Sequence, residues 1–541
     1  MKGSPMPSAT NHRFDVRSFG AAGDGRAMDT AAIQGAIDAC HAAGGGMVML
    51  PPGVFRSGAL QLRSNVRFHL EAGAVLQGTE RLADYPVPHL LSAADAENVT
   101  LEGRGTIDGC GPAYWFPKPG GRDPNFKPER QTWGEIAGFW WDYSERPEQM
   151  VRFTRCRNVR VSGVTLRNAP FWTLHVLNSR DVSIRDVTIL NPLHGPNTDG
   201  IDIDSSHDVM VSHCRIVTGD DGIVIKNSRS DLGSVAEVPA GPTDSPERRR
   251  AAVRPPEPGR GCRNIAVTNC VITTTCNAFK IGTESRDPFE NVVFSNSVLV
   301  NDELEPGLRA LCGIAIEMVD GASLAGVVCS NIAMQNVRAP FFIRLGNRGT
   351  GQDRPVPGTL SDVLIENVTA RGATIACPIV GIPGHPVRGV TLANVRVTVE
   401  GGGTAEMAAR ELPERESGYP EATMFGRPPS YGLYCRHVQG LRIAGLDLAC
   451  AMPDRRPAID MIDVEDLDVD GLRLAQADAE SPALRFRDVR GALLRGARAA
   501  KGQGVFLQCA GESRGIVLSG CELSAARRAV EAPAGTAEVR P

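Results

Sequence analysis

The chain has 541 residues, with 58 basic and 62 acidic side chains and a formal net charge of -4. A surface that follows nucleic-acid phosphates normally carries a basic excess, so this balance argues against a nucleic-acid partner. No stretch approaches the roughly 20 apolar residues that cross a bilayer, so we expect no membrane span. Residues Met1–Val16 lack the apolar core of about 7 to 15 residues that marks a secretory leader, so we expect a cytoplasmic protein unless a leader was removed.

The first predicted element is a helix near residues 30–42. Asp29 and Thr30 provide a helix start, and Ile33, Ile37 and Cys40 follow at helical spacing. We expect residues 1–13 to be a flexible N-terminus. A helix at this position would cap the open end of the structure that follows, whose edge would otherwise pair with other chains.

Short alternating segments then recur along the chain. Each begins with a turn residue, continues with alternating apolar and polar residues, and returns after roughly 23 to 27 residues where no loop intervenes. These units contain two or three strands and no helix, which predicts an all-β parallel β-helix. Each coil of such a stack contacts only its neighbours, so residues 14–541 are predicted to form one domain. The repeats begin at Asn98, Asn158, Asp181, Asp208, Asn264, Asn291, Asp362, Gly389, Gly440, Asp466 and Gly515.

The fourteen cysteines are spread through these coils. Cys156, Cys214, Cys270 and Cys329 occupy similar places in their repeats, where a small apolar residue would stack inward, so we expect buried thiols. The sequence has no CxxC pair of the kind that indicates zinc or a redox site.

Three aspartates fall in two adjacent repeats, at Asn197-Thr198-Asp199-Gly200 and at Asp220-Asp221-Gly222. Aligning Ile201-Asp202 with Ile223-Val224 places Asp199 and Asp221 on neighbouring coils about 4.8 Å apart. Three carboxylates this close cannot all ionise freely, so at least one pKa should rise while the others stay charged and orient water. An isolated aspartate would more simply close a turn. Three together indicate hydrolysis, and Asp202 is expected to face the same cleft.

These motifs resemble the polygalacturonase family, glycoside hydrolase family 28. The likeness also includes Phe14–Ala21, Gly44–Gly46 and Leu50–Gly53, and it extends from about Phe14 to Arg442. It implies a right-handed parallel β-helix of the pectin-lyase-like type that hydrolyses pectic glycosides with inversion and needs no metal or other cofactor. By this resemblance Asp220 is the general acid, Asp199 and Asp221 activate the water, and Asn197 contacts the substrate.

Two departures from the family pattern concern the substrate. Asn277 stands where the family has a histidine, and an amide cannot titrate. Ala315-Ile316-Glu317 stands where the family's Arg-Ile-Lys holds the sugar carboxylate. Lys280, one coil earlier, and Arg344, one coil later, are candidate replacements for those cations, although Lys280 could instead pair with Glu317 or Glu284, and Arg344 could brace the fold. The released sugar is therefore galacturonate or a neutral pectic sugar such as rhamnose or galactose.

Aromatic residues gather ahead of the aspartates. Trp172 and His175 lie one coil before Asn197, where a ring could stack on a sugar and an imidazole could bind a hydroxyl. A loop at about 110–150 carries further aromatic residues, which could form part of the site or a satellite hydrophobic cluster: Trp133, Phe139, Trp140, Trp141 and Tyr143.

Two more long segments interrupt the period, at about 228–262 and 401–434, and loops of this length in a compact domain are usually functional or disordered. If they wall off one end of the cleft, the enzyme would remove sugars from chain ends. The sequence thus predicts an inverting, exo-acting hydrolase whose partner is a pectic oligosaccharide or polysaccharide. A calcium-dependent lyase and a non-catalytic glycan-binding β-helix remain alternatives.

Overall fold

The structure is a computed structural model that describes residues 12–117, 141–228, 260–301, 309–475 and 478–540. All but two residues of the predicted flexible N-terminus, 1–13, lie outside this part of the chain, as do 118–140 and 229–259 of the predicted loops. The described part is almost entirely β. Thirty-eight strands pair in parallel and wind into a right-handed β-helix, which confirms the predicted fold class.

Each coil contributes strands to three faces, which we call sheets A, B and C, with strands numbered in chain order. Sheet A comprises β5 (Leu60–Gln61), β8 (Leu91–Ala94), β13 (Val151–Thr154), β16 (Leu174–Leu177), β19 (Ile201–Asp204), β22 (Ile223–Asn227), β25 (Asn277–Ser285), β27 (Cys312–Met318), β29 (Ala339–Leu345), β31 (Cys377–Val380), β37 (Val505–Ala510) and β39 (Arg528–Glu531). Late in the chain the N-terminal parts of β33 (Leu433–Cys450), β34 (Ile459–Asp470) and β36 (Pro482–Arg495) continue this sheet.

Sheet B contains β1 (Arg13–Asp15), β3 (Gly46–Leu50), β6 (Val66–Leu70), β9 (Glu97–Gly103), β14 (Arg157–Ser162), β17 (Arg180–Arg185), β20 (His207–Ser212), β23 (Cys262–Thr268), β26 (Phe289–Val300), β28 (Ser323–Gln335), β30 (Thr359–Ala373), β32 (Val387–Val399), β38 (Arg514–Ser519) and β40 (Ala537–Arg540). Sheet C contains β2 (Asp24–Met28), β4 (Gly53–Arg56), β7 (Ala74–Gln77), β10 (Thr106–Asp108), β15 (Thr165–Arg167), β18 (Thr188–Leu190), β21 (Arg215–Thr218), β24 (Val271–Thr274) and β35 (Arg473–Leu474). The C-terminal parts of the long strands from β26 to β33 extend sheet C. The middle parts of β33, β34 and β36 continue sheet B between β32 and β38, and the repeats predicted from the sequence correspond to strands of this sheet.

The predicted capping helix is present as α1 (Thr30–Ala42), and its buried face packs on the first coils. Asp29 precedes it but does not cap it: the carboxylate accepts hydrogen bonds from the backbone N–H groups of Ala22 and Gly23. A second helix, α2 (Ala405–Ala408), is a single turn, and three short 3-10 segments cover Val16–Phe19, Leu82–Asp84 and Gly111–Tyr114. Neither described α-helix has the length and apolar character needed to span a lipid bilayer.

The core consists of side chains stacked coil on coil. In sheet A, for example, Ile201, Ile223, Phe279, Ile314 and Phe341 occupy one inward column, and all are buried. The parallel register repeats the same position every coil, so apolar surface is buried continuously along the axis. All fourteen cysteines are free thiols, and the four that were predicted to stack inward are buried.

The segment 401–434 folds over the outer face of sheet A. Leu412, Ala422 and Phe425 of this segment form a small apolar cluster with Ala315 and Phe342 of the sheet. Its burial anchors the segment across the coils that follow β25. This end of sheet A is therefore covered, whereas the coils of β19 and β22 are not part of that cluster.

Candidate active site

The three aspartates lie at the starts of β19 and β22, on adjacent coils. The observed register pairs Ile201 with Ile223 and Asp202 with Val224, as the sequence alignment predicted. Gly200 N–H donates to the Asp221 carbonyl over 2.9 Å, which ties the two turns together. A Cβ on Gly200 would lie 2.4 Å from the carbonyl oxygen of Gly222, so the glycine after Asp199 permits this close approach.

The surroundings push the pKa values of these aspartates apart. Burial, followed by the charge of neighbouring Asp221, raises the pKa of Asp220 to about 6. Burial and the carboxylates of Asp220 and Asp202 raise the pKa of Asp199 well above its ordinary value. Burial also acts on Asp221, but the Lys280 ammonium and hydrogen bonds from Cys276 and Asn277 hold its pKa below the ordinary value. The site thus contains one ionised carboxylate beside two carboxyl groups that can keep a proton.

Asn277 is a direct partner of Asp221. Its backbone N–H and its side-chain Nδ2 both donate to Asp221 Oδ1, over 3.0 and 2.8 Å. Asn277 is fully buried, and its amide holds the carboxylate in place without carrying a charge.

Lys280 sits among three carboxylates. Its Nζ lies 3.2 Å from Asp221, 3.5 Å from Glu317 and 3.7 Å from Glu421. The predicted pairing of Lys280 with Glu317 is therefore present. Burial raises the pKa of Glu317 and the Lys280 ammonium lowers it. Burial has the larger effect, so the pKa lies well above the ordinary value.

A second buried ion pair lies on the neighbouring coils. Lys226 Nζ is 2.6 Å from Asp202 Oδ1 and 4.0 Å from Asp199, and it lies 3.6 Å from the centre of the Trp172 ring. Asp202 is completely buried beneath this lysine, so it does not present a free carboxylate to the cleft. Trp172, half-buried, therefore has one face occupied by a cation.

The sequence analysis missed Arg146 as well as Lys226. The Arg146 guanidinium donates to the carbonyls of Pro170 and Pro196 and to Asn197 Oδ1, each over 2.8 Å. It fixes the turn that carries Asn197 and Asp199. Arg146 lies in an insertion, so no repeat pattern could have placed it.

Two residues predicted to contact substrate have other positions in the structure. His175 is fully buried, with Nε2 3.6 Å from Asp204 and its ring edge-on to Trp172, so it lies beneath the cleft. Arg344 is fully buried and donates to the carbonyls of Gly381, Glu414 and Arg415 over 2.9 to 3.0 Å. Its fork is occupied by the backbone of the 401–434 segment, so it braces that segment.

The aromatic residues of the predicted 110–150 loop divide into two groups. Trp133, Phe139 and Trp140 lie outside the described residues. Trp141 stacks on His194 with ring centres 4.4 Å apart, and the Arg146 guanidinium lies 3.6 Å from the Tyr143 ring. Both pack beside the turn that carries Asp199. Trp141 and Tyr143 also belong to the strand β12 (Trp141–Tyr143), which pairs with β11 (Trp115–Pro117) as an antiparallel hairpin.

Among the described residues, one group of acidic and thiol side chains is close enough to hold a metal ion. Ligand atoms of Asp220, Asp221 and Cys276 lie within 4.8 Å of one another. Burial raises the pKa of the Cys276 thiol well above its ordinary value, so the thiol keeps its proton. A protonated thiol donates to the carboxyl groups of Asp220 and Asp221.

Comparisons with known proteins agree with this geometry. The family model for glycosyl hydrolases family 28 matches residues 40–241. The chain is 24% identical over 417 residues to a probable polygalacturonase of Vitis vinifera, covering 72% of this chain and 75% of that protein. It is 27% identical over 420 residues to an exo-poly-alpha-D-galacturonosidase of Dickeya chrysanthemi, covering 69% and 64%. Among solved structures, an exopolygalacturonase of Thermotoga maritima shares the fold with a TM-score of 0.56 and 23% identity, covering 80% of this chain and 92% of its own.

The chain is therefore similar to glycoside hydrolase family 28 over residues 40–241 and to polygalacturonases over most of its length. It is accordingly a glycoside hydrolase, as the three aspartates predicted. Around those aspartates, Asn277 and Lys280 contact Asp221, while Ala315 is buried against the 401–434 segment.

Two further residues of this hydrolase come from the 401–434 segment. Glu421 Oε2 lies 3.4 Å from Asn277 Nδ2, and Tyr419 OH lies 3.1 Å from Thr283 Oγ1. They bring a carboxyl group and a phenol from more than 130 positions away in the chain to the edge of the aspartate site. The aromatic content of the segment was the available signal, but its docking position has no counterpart in the repeat pattern.

Proposed function

We propose that this protein is a family 28 glycoside hydrolase that removes a sugar from the end of a pectic oligosaccharide or polysaccharide, with inversion at the anomeric carbon. The observation that carries the proposal is the placement of three aspartates on two adjacent coils, with Lys280 and Asn277 in contact with Asp221. The exo-acting galacturonosidase and exopolygalacturonase among its relatives and structural neighbours support the pectic substrate and the mode of attack.

The proposed reaction needs one proton donor and one proton acceptor on opposite sides of the glycosidic bond. Asp220, whose pKa burial and Asp221 raise to about 6, donates its proton to the leaving oxygen. Asp221, held ionised by Lys280 and Asn277, takes a proton from the attacking water. Asp199 keeps its proton more readily, and a carboxyl group in that state can donate to the water and accept from it, which orients the attack.

The covered end of sheet A supports exo action. Segment 401–434 packs on β27 and β29 through its apolar cluster, and Glu421 and Tyr419 stand at the boundary of the aspartate site. A polymer lying along sheet A would meet this segment directly after the coil of β25. A cleft closed at one end admits a chain terminus and excludes the middle of a chain.

The test is sugar release from a panel of pectic oligosaccharides and polymers, with a metal chelator present throughout. The wild-type protein should release monosaccharides without a rapid loss of polymer viscosity, and proton NMR should show the inverted anomer as the first product. Asp220→Asn should lose about 10² to 10⁴-fold in kcat, the contribution typical of a general acid.

Asp208→Asn is the matched control, since Asp208 lies on β20 of the same coil as Asp199 and its carboxylate contacts Asn264 on the outer turn. It should keep full activity. Products with an unsaturated ring and a requirement for calcium would replace the proposal with a lyase. Binding without any release of sugar would replace it with a glycan-binding protein.

A further inference from the structure

The part of the cleft beside Asp221 has a definite chemical character. We define the Lys280 subsite by Asn277, Lys280, Thr283, Tyr419 and Glu421, which contact one another at the boundary between β25 and the 401–434 segment. Lys280 is nearly fully buried, Glu421 is partly exposed, and 53% of Tyr419 is accessible. A sugar bound next to Asp221 would meet the exposed faces of Glu421 and Tyr419.

The positive charge of this subsite is already neutralised. Lys280 faces Asp221, Glu317 and Glu421 within 3.7 Å. A carboxylate on the substrate would be the fourth acidic group around one ammonium. The ionised Asp221 already balances the Lys280 ammonium, while Glu317 tends to keep its proton, so a substrate carboxylate finds no net positive charge to bind here.

Three further described cations, on sheet A or directly after it, are also engaged. Arg344 donates to three backbone carbonyls of Gly381 and the 401–434 segment. Arg348 forms a two-pronged ion pair with Asp320 and lies 5.6 Å from the Tyr419 ring. Lys226 is held by Asp202. None of these three offers the uncommitted fork that recognises a sugar carboxylate.

We propose that Glu421 makes the Lys280 subsite select an uncharged sugar residue and reject a uronic acid. This assignment rests on the proposed function and names its substrate class. Hydroxyl groups can donate to the Glu421 carboxylate and accept from Lys280, and the exposed Tyr419 ring offers an apolar surface for the face of a sugar. Burial raises the pKa of Glu421 to about 7, so above that pH a uronate places its negative charge against an ionised Glu421 carboxylate.

The experiment measures binding to the full-length Asp220→Asn protein by calorimetry, so that it does not depend on turnover. The two probes are pectic oligosaccharides of equal length, one ending in a neutral sugar and one ending in galacturonate at the same end. We expect the neutral-ended probe to bind at least about tenfold more tightly, the effect of roughly one uncompensated like charge near the surface.

Glu421→Gln, added to Asp220→Asn, should reduce the difference in affinity between the two probes. Glu421→Lys, added in the same way, should make the galacturonate-ended probe bind more tightly. The matched control is Glu411→Gln, since Glu411 lies on the same segment but pairs with Arg487 away from the subsite. It should leave the preference unchanged.

Equal or tighter binding of the galacturonate-ended probe, or a preference that Glu421→Lys does not alter, would overturn the inference. Weak binding of both probes would overturn it as well. Failure of the proposed function is a separate result, because it appears as absence of sugar release by the wild-type protein from every pectic substrate.

Discussion

Two regions of this β-helix stack polar residues at the same coil spacing with opposite results. On the outer turn, Asn296, Asn331, Asn367 and Asn394 form an amide ladder in which each Nδ2 donates to the Oδ1 of the preceding residue over 2.8 to 3.1 Å. On sheet A, the charged patch of Asp202, Lys226, Lys280 and Glu317 is buried, and each lysine in it lies beside a carboxyl group.

The difference follows from what each group can donate and accept. An amide donates and accepts, so identical amides satisfy one another at every coil. A carboxylate only accepts, so neighbouring carboxylates repel unless a cation lies between them or one keeps a proton. Stacking at the coil spacing therefore satisfies the hydrogen bonds of an amide ladder, whereas it shifts the pKa values of stacked carboxyl groups.

The largest effect should come from removing a cation from the charged patch. Lys226→Met leaves Asp202 buried without its ion-pair partner, and breaking a buried pair on one side typically costs about 3 to 5 kcal/mol. Thermal or denaturant unfolding measures the loss. The exposed Lys501→Met is the control and should change stability by less than about 0.5 kcal/mol.

The pH dependence of this loss tests its cause. Burial raises the pKa of Asp202 from 3.8 to about 7 even with Lys226 present. A folded-state pKa above the unfolded value means that stability falls as pH rises between the two, and without Lys226 this window extends further upward. The loss of unfolding free energy in Lys226→Met, relative to the wild-type protein, should therefore be larger at about pH 8 than at about pH 5. A deficit independent of pH would show that lost packing against Trp172 is responsible.

A smaller effect is expected in the pH profile of activity. Asp220 must hold its proton and its pKa in the free protein is about 6, so kcat/KM should fall about tenfold per pH unit at pH values above that. Asn277→Ala removes one hydrogen bond to Asp221 and should raise the pKa of that carboxylate. The pKa on the acid side of the activity profile should therefore rise by less than about one unit, while the pKa on the alkaline side, set by Asp220, should not change. A shift of the alkaline-side pKa in the Asn277→Ala variant would contradict the assignment of Asp220 as the general acid.

Features that lie in the coil repeats could be predicted from the sequence, whereas features that lie in the insertions could not. The alternating repeats predicted the fold and the register of Asp199 beneath Asp221, because a coil period is a local pattern. The register pairs Lys226 with Asp204, so the Lys226 contact with Asp202 is diagonal, and it was not predicted. Glu421 and Arg146 could not be placed, because both lie in insertions whose docking depends on tertiary packing. Arg344 was predicted to bind substrate because the sequence does not distinguish an arginine that binds a ligand from one that donates to backbone carbonyls inside the protein.

The smallest effect should be found in the amide ladder. Asn331→Ala removes one donated and one accepted hydrogen bond and places alanine at a φ of 56°, a left-handed conformation that asparagine tolerates better. Because both bonds are exposed to water, we expect a loss of about 1 to 2 kcal/mol in unfolding free energy, with unchanged activity and no dependence on pH. Asn331→Gly separates the two causes, since glycine adopts this φ freely and loses only the hydrogen bonds. A loss as large as that of Lys226→Met would mean that the ladder, and not the charge pairing on sheet A, is the principal polar support of the coils.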